Sequence, residues 1–118
     1  MTGGTLAAAA VILGAFGAHA LRATLDAGML ATWHTAVDYQ FWHALGLLAL
    51  TRVSEEGRAA AVAALWSFVV GIAIFCGSLY AIAAGAPHGI GVLTPIGGLA
   101  LIVGWGALVE AFRHSRPG

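Results

Sequence analysis

Four apolar stretches dominate this chain, roughly Thr5–Leu21, Trp33–Thr51, Ala59–Ala84 and Leu93–Phe112, and the polar positions inside them are few and clustered. A helix needs about 20 apolar residues to cross a hydrocarbon layer about 30 Å thick, and the four stretches qualify, the first only narrowly. The pattern predicts an all-α fold: an integral membrane four-helix bundle, residues 1–118 forming a single transmembrane domain.

The second stretch carries two polar faces. On a helical wheel, His34, Asp38, Phe41, Leu45 and Arg52 share one side, and Ala36, Tyr39, Gln40, His43, Gly46 and Leu47 share another, roughly 140° round. His34 and Asp38 are i,i+4 neighbours able to pair, and Gln40 and His43 are i,i+3 neighbours able to share one partner. Two polar faces on one span cannot both face lipid cheaply. A charged carboxylate at mid-membrane costs about 3 kcal/mol on insertion scales, so such groups face protein or a water-filled cavity.

Small residues mark the other helices. Helix 1 carries Gly3, Ala7, Ala10, Gly14 and Gly17 at seven-residue and half-seven spacing, helix 3 has Gly71 and Gly77, and helix 4 has Gly97, Gly98, Gly104 and Gly106. Small residues repeated on a face let backbones approach, and in lipid that close packing replaces the hydrophobic effect. Pro95 belongs in the first turn of helix 4, with Thr94 expected as its N-cap. Glu110 and Arg113 are spaced to pair at the end of that helix, while Asp26, Glu55, Glu56 and Arg58 are expected as solvated loop charges.

Composition removes the soluble alternative. Hydrophobic residues make up 60% of the 118 positions and charged residues 8%, against roughly 25% charged in soluble domains. A domain this small could not hide so much apolar surface from water, so lipid must cover it. Five arginines balance five acidic residues without any lysine, so no basic patch points to nucleic acid. Arg52, Arg58, Arg113 and Arg116 share one side of a four-span topology and Arg22 stands on the other, which places both termini and the second loop in the cytoplasm. Ala18-His19-Ala20 resembles a signal-peptidase site, but no basic residue precedes the apolar run, so helix 1 is expected to be retained. Cys76 stands alone in mid-span, which removes an intramolecular disulfide and a cysteine-based zinc site.

This topology sets the candidate chemistry. His19, Asp38, Gln40, Ser78, Tyr80 and Thr94 are expected in the outer half of the bundle, with His34 at the outer end of helix 2 and His43 about 15 Å deep, near the midplane. These eight residues form the candidate buried polar cluster. The first reading is structural: cross-helix hydrogen bonds worth about 1 kcal/mol or less each, which fix helix register. It makes the protein a non-enzymatic stabilising, accessory or assembly factor that meets membrane lipid, other membrane proteins or further copies of itself. A second reading makes His19, His34, Asp38 and His43 a proton or small-solute relay. A third makes His19 and His43 the axial pair of a haem, or a metal site, although no haem-attachment motif is present. No nucleophile–base pair is recognisable, so no catalytic residue is assigned and no cofactor is expected.

Five motifs occur in order: Gly14-Ala15-Phe16-Gly17-Ala18-His19-Ala20-Leu21; Trp33-x-Thr35-Ala36-Val37-Asp38-Tyr39-Gln40-x-x-His43-Ala44-Leu45; Phe75-x-Gly77-Ser78-Leu79-Tyr80; Thr94-Pro95-Ile96-Gly97-Gly98; and Gly104-Trp105. In these the chain resembles the YgdD/YwdK-type family of small bacterial inner-membrane proteins. The resemblance implies four membrane helices, an inner-membrane location and no established biochemical activity, with a role in membrane integrity as its process. Two departures are visible: the segment before Gly14 is short, and Cys76 stands where a serine is more usual.

Overall fold

A computed structural model describes residues 2–23 and 25–115. Arg116, counted above on the arginine-rich side, lies outside the described residues, as does the side chain of Arg22. The described chain is all-α, with four rods joined by short turns. The first is α1 (Thr2–His19) and the second α2 (Ala27–Ala49). The third runs from α3 (Arg58–Gly71) through a π-helical turn (Ile72–Cys76) into α4 (Gly77–Ala83), and the fourth is α5 (Leu93–His114).

Two local signals set helix boundaries, the first of which apolarity alone misplaces. The second helix begins six residues before the expected Trp33, because Asp26 is its N-cap and not a loop charge: its Oδ1 accepts from the Met29 N–H at 2.8 Å. The third rod stops at a glycine-centred cap. Gly85 has φ +108°, a value open to glycine alone without strain, and the Gly85 and Ala86 N–H groups return to the carbonyls of Ile82 and Ala81. Pro87 follows and the 3-10 turn His88–Val92 runs straight into α5, so Val92 is the cap residue and Thr94 lies inside the helix. The expected N-cap role of Thr94 is therefore replaced: with helical backbone already before it, its hydroxyl is free to bond Ser78.

The rods lie side by side and antiparallel. Helix α1 packs on α2, α2 on the third rod, and the third rod on α5, with little contact between α2 and α5 and none of note between α1 and α5. The 51 × 27 × 16 Å envelope fits this order: three inter-axis steps of about 9 Å span the width. The bundle is thus open, a single bent layer.

Close approach of backbones sets the register. A methyl at Gly71 would lie 2.6 Å from the Leu101 side chain, one at Gly104 2.7 Å from the Phe68 ring, and one at Gly97 would collide with the Phe75 backbone nitrogen. On α1, Gly17 faces the Trp33 indole and Gly14 faces Val37. Gly77 has nothing within 4 Å and Gly98 only an ordinary contact with Phe75, so these two expected packing glycines make no close approach. Gly77 is exposed, and Gly98 lies at the margin of the seam. Gly3, expected on the packing face of helix 1, lies against the backbone of Ala44 and Leu48, and Gly46 adds a close approach to Phe68 and Trp105.

Phe68, fully buried, centres the core with Ala36, Leu47, Ala64, Ile72, Cys76, Leu101 and Leu108. Among the described residues two rods are long and apolar enough to cross a membrane, Glu55–Ala83 (29 residues, mean hydropathy 2.3) and His88–His114 (27 residues, 2.0). Only 28% and 22% of their most apolar windows are buried, unlike the core helices of a soluble protein. The apolar run of α1, Gly3–Gly17, is shorter. Helix α2 has the length, at 23 residues, but His34, Asp38, Gln40 and His43 lower its hydropathy.

Candidate functional site

The two faces read on helix 2 separate cleanly. Ala36, Gln40, His43, Gly46 and Leu47 are buried, with Tyr39 half-buried among them, while Asp38 and Leu45 are exposed on the opposite side.

Gln40 is the central polar residue. Its Nε2–H donates to the Leu6 carbonyl of α1 at 2.8 Å, and its Oε1 accepts from the Tyr80 hydroxyl of α4 at 2.8 Å. One amide therefore joins three rods, at 5% exposure. Trp33 reinforces the link: its indole N–H donates to the Leu13 carbonyl at 2.9 Å and its ring meets Tyr80 edge-on at 4.8 Å. Neither Leu6 nor Leu13 was recognisable beforehand, because a backbone carbonyl acting as a second acceptor leaves no mark in side-chain identity.

A second polar tie joins α4 to α5. The Ser78 hydroxyl donates to the Phe75 carbonyl at 2.9 Å, which commits its only proton, so Thr94 donates to Ser78 Oγ across 2.6 Å. The π-helical turn lies just before this pair, where Phe75 is pressed against Gly97.

His43 belongs to neither tie. Its Nδ1 lies 2.6 Å from the Tyr39 carbonyl, and a carbonyl only accepts, so the ring carries its proton on Nδ1. The imidazole sits among the rings of Tyr39, Phe68 and Trp105 at 5.8, 5.8 and 5.6 Å. The expectation that Gln40 and His43 share a partner is thus corrected: the lean of each side chain takes Gln40 toward α1 and α4, and His43 back onto its own helix.

The expected single buried cluster also breaks apart. His19 and Asp38 are exposed and His34 is half-buried. No hydrogen bond or ion pair joins His34 to Asp38 among the described residues. Depth explains the rest. Gly17 packs against Trp33, so His19 lies outward of Trp33, in the first turns of α2, while His43 is ten residues beyond Trp33 in the other direction, about 15 Å further along. One haem iron holds axial nitrogens only about 4 Å apart, so His19 and His43 cannot serve as its pair. Among the described residues no group of three or more His, Cys, Asp or Glu side chains is placed to hold a metal ion.

At the arginine-bearing end of the layer, Glu110 bonds Arg113 at 3.0 Å and His114 at 2.8 Å, the expected pair enlarged by one member. Ser115 Oγ accepts from the Ser54 N–H and donates to Ser54 Oγ, tying the end of α5 to the turn before α3.

An all-α bundle with two long, largely uncovered apolar rods, and with no buried side-chain nitrogen or oxygen among the described residues left without a partner, defines a small multi-pass membrane protein. The chain belongs to a family described as a protein of unknown function, DUF423, whose model matches residues 13–98. It is similar to the UPF0382 membrane protein YwdK of Bacillus subtilis, 39% identical over 104 residues that cover 86% of this chain and 85% of the relative. It is similar also to the UPF0382 membrane protein SSP2132 of Staphylococcus saprophyticus, 45% identical over 100 residues (85% and 83% covered). The UPF0382 inner membrane protein YgdD of Escherichia coli is 37% identical over 112 residues, with 92% of this chain and 84% of the relative covered. No solved structure matches. The protein is a multi-pass protein of the bacterial inner membrane.

Proposed function

We propose that this protein crosses the inner membrane four times with both ends in the cytoplasm, and acts there as a non-enzymatic accessory or membrane-stabilising factor. The observation that carries the reading is how its interior polar groups are used. Gln40, Tyr80, Trp33, Ser78 and Thr94 are consumed in direct bonds that hold neighbouring helices together. No buried side-chain nitrogen or oxygen among the described residues lacks a partner. Such bonds fix a fold, and amide, indole and hydroxyl groups do not exchange charge near neutral pH as a relay requires. A relay needs titratable groups in succession, whereas His43 stands among aromatic rings and His19 lies at another depth. The topology draws support from the Ser54–Ser115 tie, which gathers Arg52, Arg58 and Arg113 at one end of the layer.

The test is twofold. Purified protein in liposomes should leave proton flux at the level of empty vesicles, and Gln40→Leu should alter stability without altering flux. Recovery in gentle detergent should bring down an assembly whose yield falls in the Gln40→Leu variant. A pH-driven flux abolished by Asp38→Asn or His43→Phe would overturn the reading in favour of a relay.

A further inference from the structure

We infer that two copies of this chain associate through the outward face of α2, with Asp38 of each copy bonded to His34 of the other. The inference rests on the four-span reading above. It begins from a carboxylate in a costly place. Asp38 is exposed on α2 and stands eleven residues from each end of it, about 16 Å from either side. Lipid headgroups lie beyond its reach, and among the described residues no hydrogen bond or ion pair satisfies it. A polar group at that depth needs a protein partner or a water-filled cavity.

The surroundings favour protein. Asp38 lines an apolar cleft of about 410 Å³ between α1 and α2, floored by Ala10, Gly14 and Ala15 and walled by Phe41 and Trp42. Small residues along α1 allow a second helix to come close, and Trp42 and Leu45, 52% and 46% exposed, offer it apolar area.

Why a second copy? The face is self-complementary. His34, without a hydrogen bond among the described residues, lies one turn from Asp38 on the same stripe, so acid and base recur at a spacing of about 6 Å along the axis. A two-fold axis along the membrane normal brings two such stripes together at equal depth. Each Asp38 then stands about 6 Å along the axis from the other copy's His34, a gap that the two side chains reaching toward each other can bridge. Two crossed bonds then satisfy both acids, the isologous arrangement that a two-fold interface demands. A foreign helix would have to supply its own donor at this depth. The chain already carries one.

The experiment is disulfide trapping in native membranes with Trp42→Cys in a Cys76→Ser background, together with the native mass of the protein in nanodiscs. A cross-linked dimer and twice the chain mass are expected. Asp38→Leu should weaken the dimer at least tenfold with the helical spectrum unchanged, and the exchange His34→Asp with Asp38→His should restore it. A monomeric wild type, a dimer indifferent to Asp38→Leu, or a different protein bound one-to-one over Trp42 would each overturn the inference. Flux measured on the same nanodisc-purified sample after transfer to liposomes separates the two readings: flux refutes the accessory role, and loss of the dimer alone refutes only the interface.

Discussion

Replacing Gln40 by leucine removes the amide that joins α1, α2 and α4 while keeping the volume close. Two hydrogen bonds of 2.8 Å are lost together, to the Leu6 carbonyl and from the Tyr80 hydroxyl. Side-chain bonds between membrane helices average about 0.6 kcal/mol and reach about 1.7, so the variant should lose between about 1 and 3 kcal/mol. The Leu6 carbonyl keeps its own helix bond, whereas the Tyr80 hydroxyl is left without a partner. Tyr80→Phe alone should cost about 1 kcal/mol, one bond, because the ring still meets Trp33 edge-on. Once Gln40 is gone, however, the hydroxyl is a liability, and Tyr80→Phe should then cost nothing or gain slightly. Reversible unfolding in mixed micelles across the four proteins of this double-mutant cycle should give a coupling of about 1 kcal/mol, well outside the roughly 0.3–0.5 kcal/mol scatter of independent sites. Additive losses, or a Gln40→Leu variant as stable as the wild type, would refute the claim that this amide ties three rods.

Three further outcomes follow from the same geometry. Gly97→Ala drives a methyl into the Phe75 backbone and should cost about 1–3 kcal/mol in that unfolding assay, while Gly77→Ala, with nothing within 4 Å, should be neutral or gain up to about 1 kcal/mol of helix propensity. Asp26→Ala removes the α2 cap and should cost about 1 kcal/mol, seen as faster amide exchange at Met29. Ser78→Ala should cost about 1 kcal/mol or less, and Thr94→Val should add little to it, since the two hydroxyls form one bond.

The wheel of helix 2 was legible because one residue type pattern decided it: a polar, small and aromatic face had to be covered, and it is the face buried between α1 and the third rod. The packing glycines of the last two spans were legible in part: Gly71, Gly97 and Gly104 lie in the seam between the third rod and α5, whereas Gly77 and Gly98 make no close approach. Depth was not. Placing His19, Asp38 and Gln40 in one layer assumed that every helix begins where its apolar run begins. Asp26 starts α2 six residues earlier than that run and pushes Asp38 to mid-helix. Nor does residue type separate Gly77 from Gly71: six positions on, Gly77 points well round the helix from Gly71, with nothing within 4 Å.

The open layer has a consequence for how four short rods stay together. In a closed bundle each helix touches two neighbours, whereas α1 here packs on α2 alone and α5 almost wholly on the third rod. Lipid supplies little hydrophobic drive between helices, so the outer rods depend on close backbone contact and on a few polar bonds. That is where those bonds are found: Gln40 and Trp33 hold α1, and Thr94 holds α5. The inward polar face of α2 is thereby spent on the fold, and its outward face retains Asp38 without a bond among the described residues. A polar group kept at mid-membrane on a face the fold does not use gives no stability to the monomer. It acquires a physical reason only when something covers it, and the adjacent His34 makes a second copy the cover that this sequence can itself provide.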